Sequence, residues 1–159
     1  MQMKLSQSDI QLLKLMQQDA SLTTAELADK IGLSQSPCWR RINSIEQAGL
    51  IKKKVALLDS DQLGMEVVVF ASINLLNHGG QSLEAFERRV VELPEVVECY
   101  TMTGSIDYML KIITKNIQHY EVFVRTHLAQ IDGIREIHSN MAVTRIKNTT
   151  ELPLDTQLA

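Results

Sequence analysis

Leu22-Thr23-Thr24-Ala25-Glu26-Leu27-Ala28-Asp29-Lys30-Ile31-Gly32-Leu33-Ser34-Gln35-Ser36-Pro37-Cys38-Trp39-Arg40-Arg41-Ile42-Asn43-Ser44-Ile45-Glu46-Gln47-Ala48-Gly49-Leu50 reads as a helix, a tight turn and a second helix that carries arginines. Thr24 is a cap residue for the first helix, whose Leu27 and Ile31 lie one turn apart, and Ala28 is small enough for a neighbouring helix to approach. Gly32 ends it, because glycine adopts the left-handed conformation that terminates helices. Ser34 or Ser36 caps the next helix, and Pro37 is tolerated in a first turn, where its missing N–H has no intrahelical partner anyway. Cys38, Ile42 and Ile45 form an apolar stripe at helical spacing, which turns Gln35, Trp39, Arg40, Asn43, Ser44 and Gln47 outward. That arrangement suits a helix-turn-helix, in which the second helix lies in a DNA major groove.

Upstream, Asp9 or Ser8 caps a further helix whose apolar face is Ile10, Leu12, Leu13 and Met16, and Asp19-Ala20-Ser21 stops it. The result is a three-helix, winged-helix-like unit closing at Ala48-Gly49. An extended segment runs from Leu50 to Leu58 with Lys52-Lys53-Lys54 at its head. This charge run is either a solvated face or a short wing that touches phosphates. Asp59 to Gly64 is polar and turn-forming, so a boundary is expected at residue 62, giving a DNA-binding domain over 1–62 and a second domain over 63–159.

Past that boundary the pattern changes. Val67 to Leu75 is β-branched and strand-like, and His78-Gly79-Gly80-Gln81 is a loop. A helix with Leu83, Phe86, Val90 and Leu93 on one face follows and stops at Pro94. Val96 to Met102 and Asp107 to Ile113 are strands joined by a turn at Thr103-Gly104-Ser105-Ile106. A second helix groups Tyr120, Phe123, Val124, Leu128 and Ile131, and Ile134 to Lys147 is the last strand. The two halves repeat at an offset of 38 residues, Phe86 matching Val124, Val90 matching Leu128 and Leu93 matching Ile131. The order βαββαβ is ferredoxin-like, a four-stranded antiparallel sheet with two helices on one face, and the fold class is α+β. No element remains to cover the other sheet face, which predicts a homodimer through the sheets.

Composition narrows the function. The 159 residues are 45% hydrophobic and 22% charged, ordinary for a globular protein. No apolar run is long enough to cross a bilayer, and Met1 to Gln7 lacks a signal-peptide core, so a cytoplasmic protein without membrane contact is expected. Cys38 and Cys99 lie far apart without a CxxC context and read as reduced core thiols. The net charge of −3 divides unevenly: residues 1–60 carry eight basic and six acidic side chains, and the remainder carries eight basic and thirteen acidic. Polyanion binding therefore belongs to the first third. No nucleophile elbow, phosphate loop or dinucleotide fingerprint occurs, so no catalytic residue is assigned. His119 and His127 stand two turns apart on one helix. A metal-sensing winged-helix repressor is the alternative and requires Cys38, Cys99 or the histidines to converge; neither a metal nor a cofactor is expected.

The segment Ser34 to Ile42, then Ile45-Glu46-x-x-Gly49-Leu50-Ile51, then a βαββαβ module with Thr103-Gly104-x-x-Asp107-Tyr108, resembles the Lrp/AsnC family, the leucine-responsive or feast/famine regulators. The resemblance runs from about Leu5 to Pro153. It implies an amino-acid-sensing second domain of the RAM/ACT type, dimers that assemble further into octamers, and nucleoid-associated regulation of genes of amino-acid metabolism. For double-stranded DNA the candidate contacts are Ser34, Gln35, Ser36, Trp39, Arg40, Arg41, Asn43, Lys52 and Lys53. Arg41 adjoins the apolar stripe and is either a DNA contact or an ion-pair partner of Glu46 or of an acid on another helix. Trp39 is either packing or readout. For a small amino acid, bound non-covalently, the resemblance points to Thr101, Thr103, Gly104, Ser105, Ile106 and Asp107. It adds Ser139, Asn140 and Met141 from an opposing subunit. A glycine turn offers backbone N–H groups to a carboxylate, and Asp107 can accept from an ammonium.

Overall fold

The computed structural model describes residues 4–77 and 79–154; His78, part of the expected loop, lies outside them. The chain divides into two compact units. Among the described residues, one comprises 4–57 together with 147–154, and the other is Leu58–Ile146. The segment after Ile146, expected with the second domain, thus groups with the first. Gln17 donates its Nε2 to the Leu152 carbonyl and accepts from the Leu152 N–H, both at 3.0 Å, and Gln18 bonds Glu151.

The first unit holds three helices, α1 (Gln7–Gln18), α2 (Thr24–Ile31) and α3 (Gln35–Gln47). Leu12, Met16, Leu27, Ala28, Cys38, Ile42 and Ile45 are its buried core. Each of the leucine, isoleucine and methionine side chains among them contributes about 1.5–3 kcal/mol on removal from water. The caps fall one position or more earlier than expected. Ser6 caps α1 through a reciprocal box with Asp9, and Thr23 caps α2 through one with Glu26. The reason is the third-position carboxylate: Asp9 and Glu26 each reach back to the N–H of the residue three before them, which fixes Ser6 and Thr23 as caps. Those bonds hold the Glu26 carboxyl below its ordinary range. Gly32 ends α2 with φ 69°, as its type requires. Residues 50–58 form no strand, so the wing is an irregular extended segment, with Ile51 packed against the core.

The second unit runs β1 (Val67–Leu75), α4 (Gly80–Val91), β2 (Val96–Thr101), β3 (Tyr108–Thr114), α5 (Ile117–Thr126), a 3-10 turn (Leu128–Gln130) and β4 (Ile134–Met141). All pairings are antiparallel in the order β2-β3-β1-β4. On one face Val69, Ala71, Ile73 and Leu75 of β1 and Tyr108, Leu110 and Ile112 of β3 pack with Phe86 and Val90 of α4 and Tyr120 and Phe123 of α5. The Phe86 and Tyr108 rings sit 4.5 Å apart between centroids. The other face carries Val68, Phe70, Met109 and Ile113 around a Lys111–Glu98 ion pair of 2.7 Å, with the Tyr100 hydroxyl also on Glu98.

Two element ends differ from expectation. β4 stops at Met141 instead of continuing to Lys147: Met141 pairs with Val69 and the Ala142 N–H takes the Val68 carbonyl, one residue short of the start of β1 at Val67. α5 ends at Thr126, whose hydroxyl bonds back to the Val122 carbonyl, and the following 3-10 turn keeps Leu128 and Ile131 in the core.

Candidate functional site

The candidate DNA-reading face is built on α3. Burial of Cys38, Ile42 and Ile45 fixes its rotation, which exposes Ser34, Gln35, Ser36, Trp39 and Arg40 and leaves Asn43 half-buried. Trp39 is 57% exposed, so its ring is not part of the core. Ser34 occupies the cap position but makes no side-chain cap bond, in contrast to the boxes on α1 and α2. The first N–H groups of α3, at the positive end of its dipole, therefore receive no acceptor from the Ser34 side chain.

Arg41 is drawn to the opposite duty. Its guanidinium donates to Asp9 Oδ1 at 3.0 Å and to the Ser6 hydroxyl at 2.8 Å, which ties α3 to the cap of α1. Asp9 is 3% exposed. Burial alone pushes its carboxyl up, but the hydrogen bonds from Ser6 and the Arg41 guanidinium outweigh it and hold the group below its ordinary value of 3.8. Of the two readings of Arg41, the ion pair is the one formed, and its acid is on another helix. Glu46 instead takes Lys54 at 2.8 Å, while Lys52 and Lys53 remain exposed.

The candidate effector hairpin joins β2 to β3. Thr101, Thr103, Gly104 and Ser105 are exposed, and Ile106 and Asp107 are half-buried. The Met102 N–H bonds the Asp107 carbonyl and closes the loop, and Gly104 sits at φ 116°, a conformation L residues rarely adopt. The N–H groups of Thr103, Gly104, Ser105 and Ile106 make no hydrogen bond among the described residues. Asp107 is anchored to the end of β1: its Oδ2 accepts from the Leu75 N–H at 2.8 Å, and its own N–H donates to the Ile73 carbonyl and to Asn74 Oδ1. Sequence reasoning missed Asn74. The available signal was an amide within a β-branched run, at a position 8% exposed.

Ser139, Asn140 and Met141 are not brought to that hairpin within one chain. They pair with Ala71, Phe70 and Val69, toward the start of β1, whereas the hairpin lies beyond its Ile73 end. Ser139 and Met141 share the helix-covered side, and the Ser139 hydroxyl is hydrogen-bonded to Tyr120 of α5; Asn140 points to the open face.

No group of three or more His, Cys, Asp or Glu side chains suited to a metal occurs among the described residues, and none of their helices is long and apolar enough to cross a membrane. Cys38 is buried in the first unit as expected, whereas Cys99, also expected in a core, is exposed on β2 of the second, the edge strand of its sheet. Residues 5–52 match a winged helix-turn-helix DNA-binding domain, and residues 68–152 match the Lrp/AsnC ligand binding domain. The chain belongs to the Lrp/AsnC family. It is similar to the transcriptional regulator AzlB of Bacillus subtilis strain 168, 37% identical over 95% of this chain and 96% of that protein. A crystal structure of an AsnC family transcriptional regulator from Agrobacterium tumefaciens superposes with a TM-score of 0.91 at 43% identity, over 94% of this chain and 97% of that one. The L-Met complex of the transcriptional regulator NMB0573 from Neisseria meningitidis gives 0.92 at 31% identity, over 96% and 99%. As a Lrp/AsnC protein the chain is a DNA-binding transcriptional regulator with a ligand-binding domain, and the family is not enzymatic.

Proposed function

We propose that this Lrp/AsnC chain regulates genes of amino-acid metabolism by reading double-stranded DNA with α3 under the control of a small amino acid held at the Thr103–Asp107 hairpin. The observation that carries the reading is that hairpin: four successive N–H groups without partners among the described residues, around a glycine at φ 116°. They form a cradle for an α-carboxylate, and the Asp107 carboxylate beside them supplies the negative charge that an α-ammonium calls for. The complex of the Neisseria relative with L-Met supports a free amino acid as the ligand class. Ser139, Asn140 and Met141 lie at the other end of β1, so their part in the site comes from another copy, consistent with dimers that assemble into octamers.

On DNA, Gln35, Ser36, Arg40 and Asn43 reach base edges and phosphates, and the uncapped N-terminus of α3 at Ser34 receives a phosphate oxygen. Lys52 and Lys53 add backbone contacts. Arg41 is withdrawn from the set because Asp9 and Ser6 hold it. The chain works in the cytoplasm, associated with the nucleoid.

Thermal shift of the full chain across the twenty amino acids, followed by calorimetry with the best stabiliser, tests this. A ligand at one hundred times its Kd stabilises by about 2.7 kcal/mol. Asp107→Asn keeps an acceptor for the Leu75 N–H but removes the charge, so the expected result is at least tenfold weaker binding by a chain that still folds. Unchanged affinity would remove Asp107 from the pocket, and the absence of any stabilising amino acid would overturn the effector class.

A further inference from the structure

Trp39 is the largest side chain on the outward face of α3, and it is 57% exposed. Its neighbours one turn away along the ridge are Gln35 and Asn43, and Ser36 and Arg40 lie beside it. All four are polar. A single indole among hydrogen-bonding side chains is too small an apolar surface to dock a protein, since such sites are contiguous patches of hundreds of Å². It nevertheless leaves a large ring in water on the helix proposed to enter the groove. Gln35 and Asn43 can each exchange paired hydrogen bonds with adenine, and Arg40 can do so with guanine. The indole has one N–H donor and otherwise offers only apolar surface. The one apolar group that a major groove displays on its base edges is the C5-methyl of thymine.

We propose that Trp39 is a specificity-determining residue that reads thymine by burying its exposed ring against the C5-methyl group. This rests on α3 being the DNA-reading helix, as proposed above. The methyl is removed from water when the ring closes over it, and the neighbouring polar side chains fix the register that puts it there. The protein therefore selects a T·A pair at one position in each half-site, and the discrimination lies between thymine and any base lacking the methyl, including uracil, whose hydrogen-bonding edge is identical.

Full-length wild-type chain and Trp39→Ala are used in parallel to select sites from a random double-stranded DNA pool, and the wild-type site is then titrated with uracil in place of thymine at each fixed position. At one such position per half-site uracil weakens wild-type binding about fourfold for each methyl removed, the factor expected for one buried methylene-sized group. The same substitution leaves Trp39→Ala unaffected, and the fixed thymine disappears from the sites that variant selects. Trp39→Phe, which keeps an aromatic face without the N–H, retains the sensitivity to uracil. An enriched wild-type site indifferent to uracil overturns the assignment, as does equal weakening of wild type and Trp39→Ala, or a Trp39→Ala variant that weakens every sequence alike. A wild-type pool with no enriched sequence overturns the DNA-reading role of α3 itself and the thymine assignment with it.

Discussion

Arg41 and Asp9 illustrate how one side chain can be diverted from a groove to a cap. Two adjacent arginines stand on α3; Arg40 points outward, and Arg41, one position on, is turned 100° about the axis toward α1. There it meets a carboxylate that is 3% exposed and already bonded to Ser6. Replacing Arg41 by Ala leaves Asp9 buried without its cation, so a loss of about 1–3 kcal/mol in urea unfolding is expected. Because the folded Asp9 value is lowered, its contribution is fully present above the ordinary 3.8 and fades as the pH falls through the lowered folded value. Asp9→Asn should therefore flatten the dependence of the melting temperature on pH below about 4 while lowering it at neutral pH. A steeper acid limb in the variant would contradict this sign. The stripe Cys38, Ile42 and Ile45 was legible from spacing alone, and the exposure of Gln35, Trp39 and Arg40 followed from it. The destination of Arg41 was not, because helical periodicity fixes a direction but not which partner across 32 residues of sequence waits there.

Among the elements, the helices and strands declared themselves by period, and their ends did not. The starts of α1 and α2 were misjudged by the same cause, a carboxylate three residues in that selects an earlier cap. The end of β4 falls where β1 begins, a neighbour 72 residues away in sequence at the Val69–Met141 pair, which no local pattern reports. The β2–β3 hairpin was legible as a turn through Thr103-Gly104, whereas its anchorage to Asn74 and Leu75 needed the sheet register. Two glycines with positive φ separate stability from response. At both Gly32 and Gly104 a Cβ would meet nothing within 4 Å, so an alanine there costs backbone strain alone. Gly32→Ala should destabilise by about 1 kcal/mol in urea unfolding, without altering the amino-acid concentration that gives half-maximal thermal shift. Gly104→Ala should raise that concentration at least tenfold at similar stability. Equal effects of both on ligand response would show that the hairpin has no special part in it.

At the scale of the whole molecule, the open sheet face is the surface on which the proposed self-association is to be tested. Val68, Phe70, Met109 and Ile113 line it, and Phe70 at its centre is 40% exposed. Phe70→Ala should weaken self-association about tenfold or more in sedimentation equilibrium, as for a central aromatic anchor, and leave helix content unchanged. An unaltered dimer would place the interface elsewhere. The tail contact has a different kind of consequence, one of timing. Gln17 and Leu152 are 135 residues apart. At synthesis rates of about 5–20 residues per second, the partner of Gln17 leaves the ribosome about 7–27 s after α1 does. The three-helix core must therefore hold itself together while the whole sheet unit is being made. Its final fastening is then reserved for a chain that has already been translated through β4.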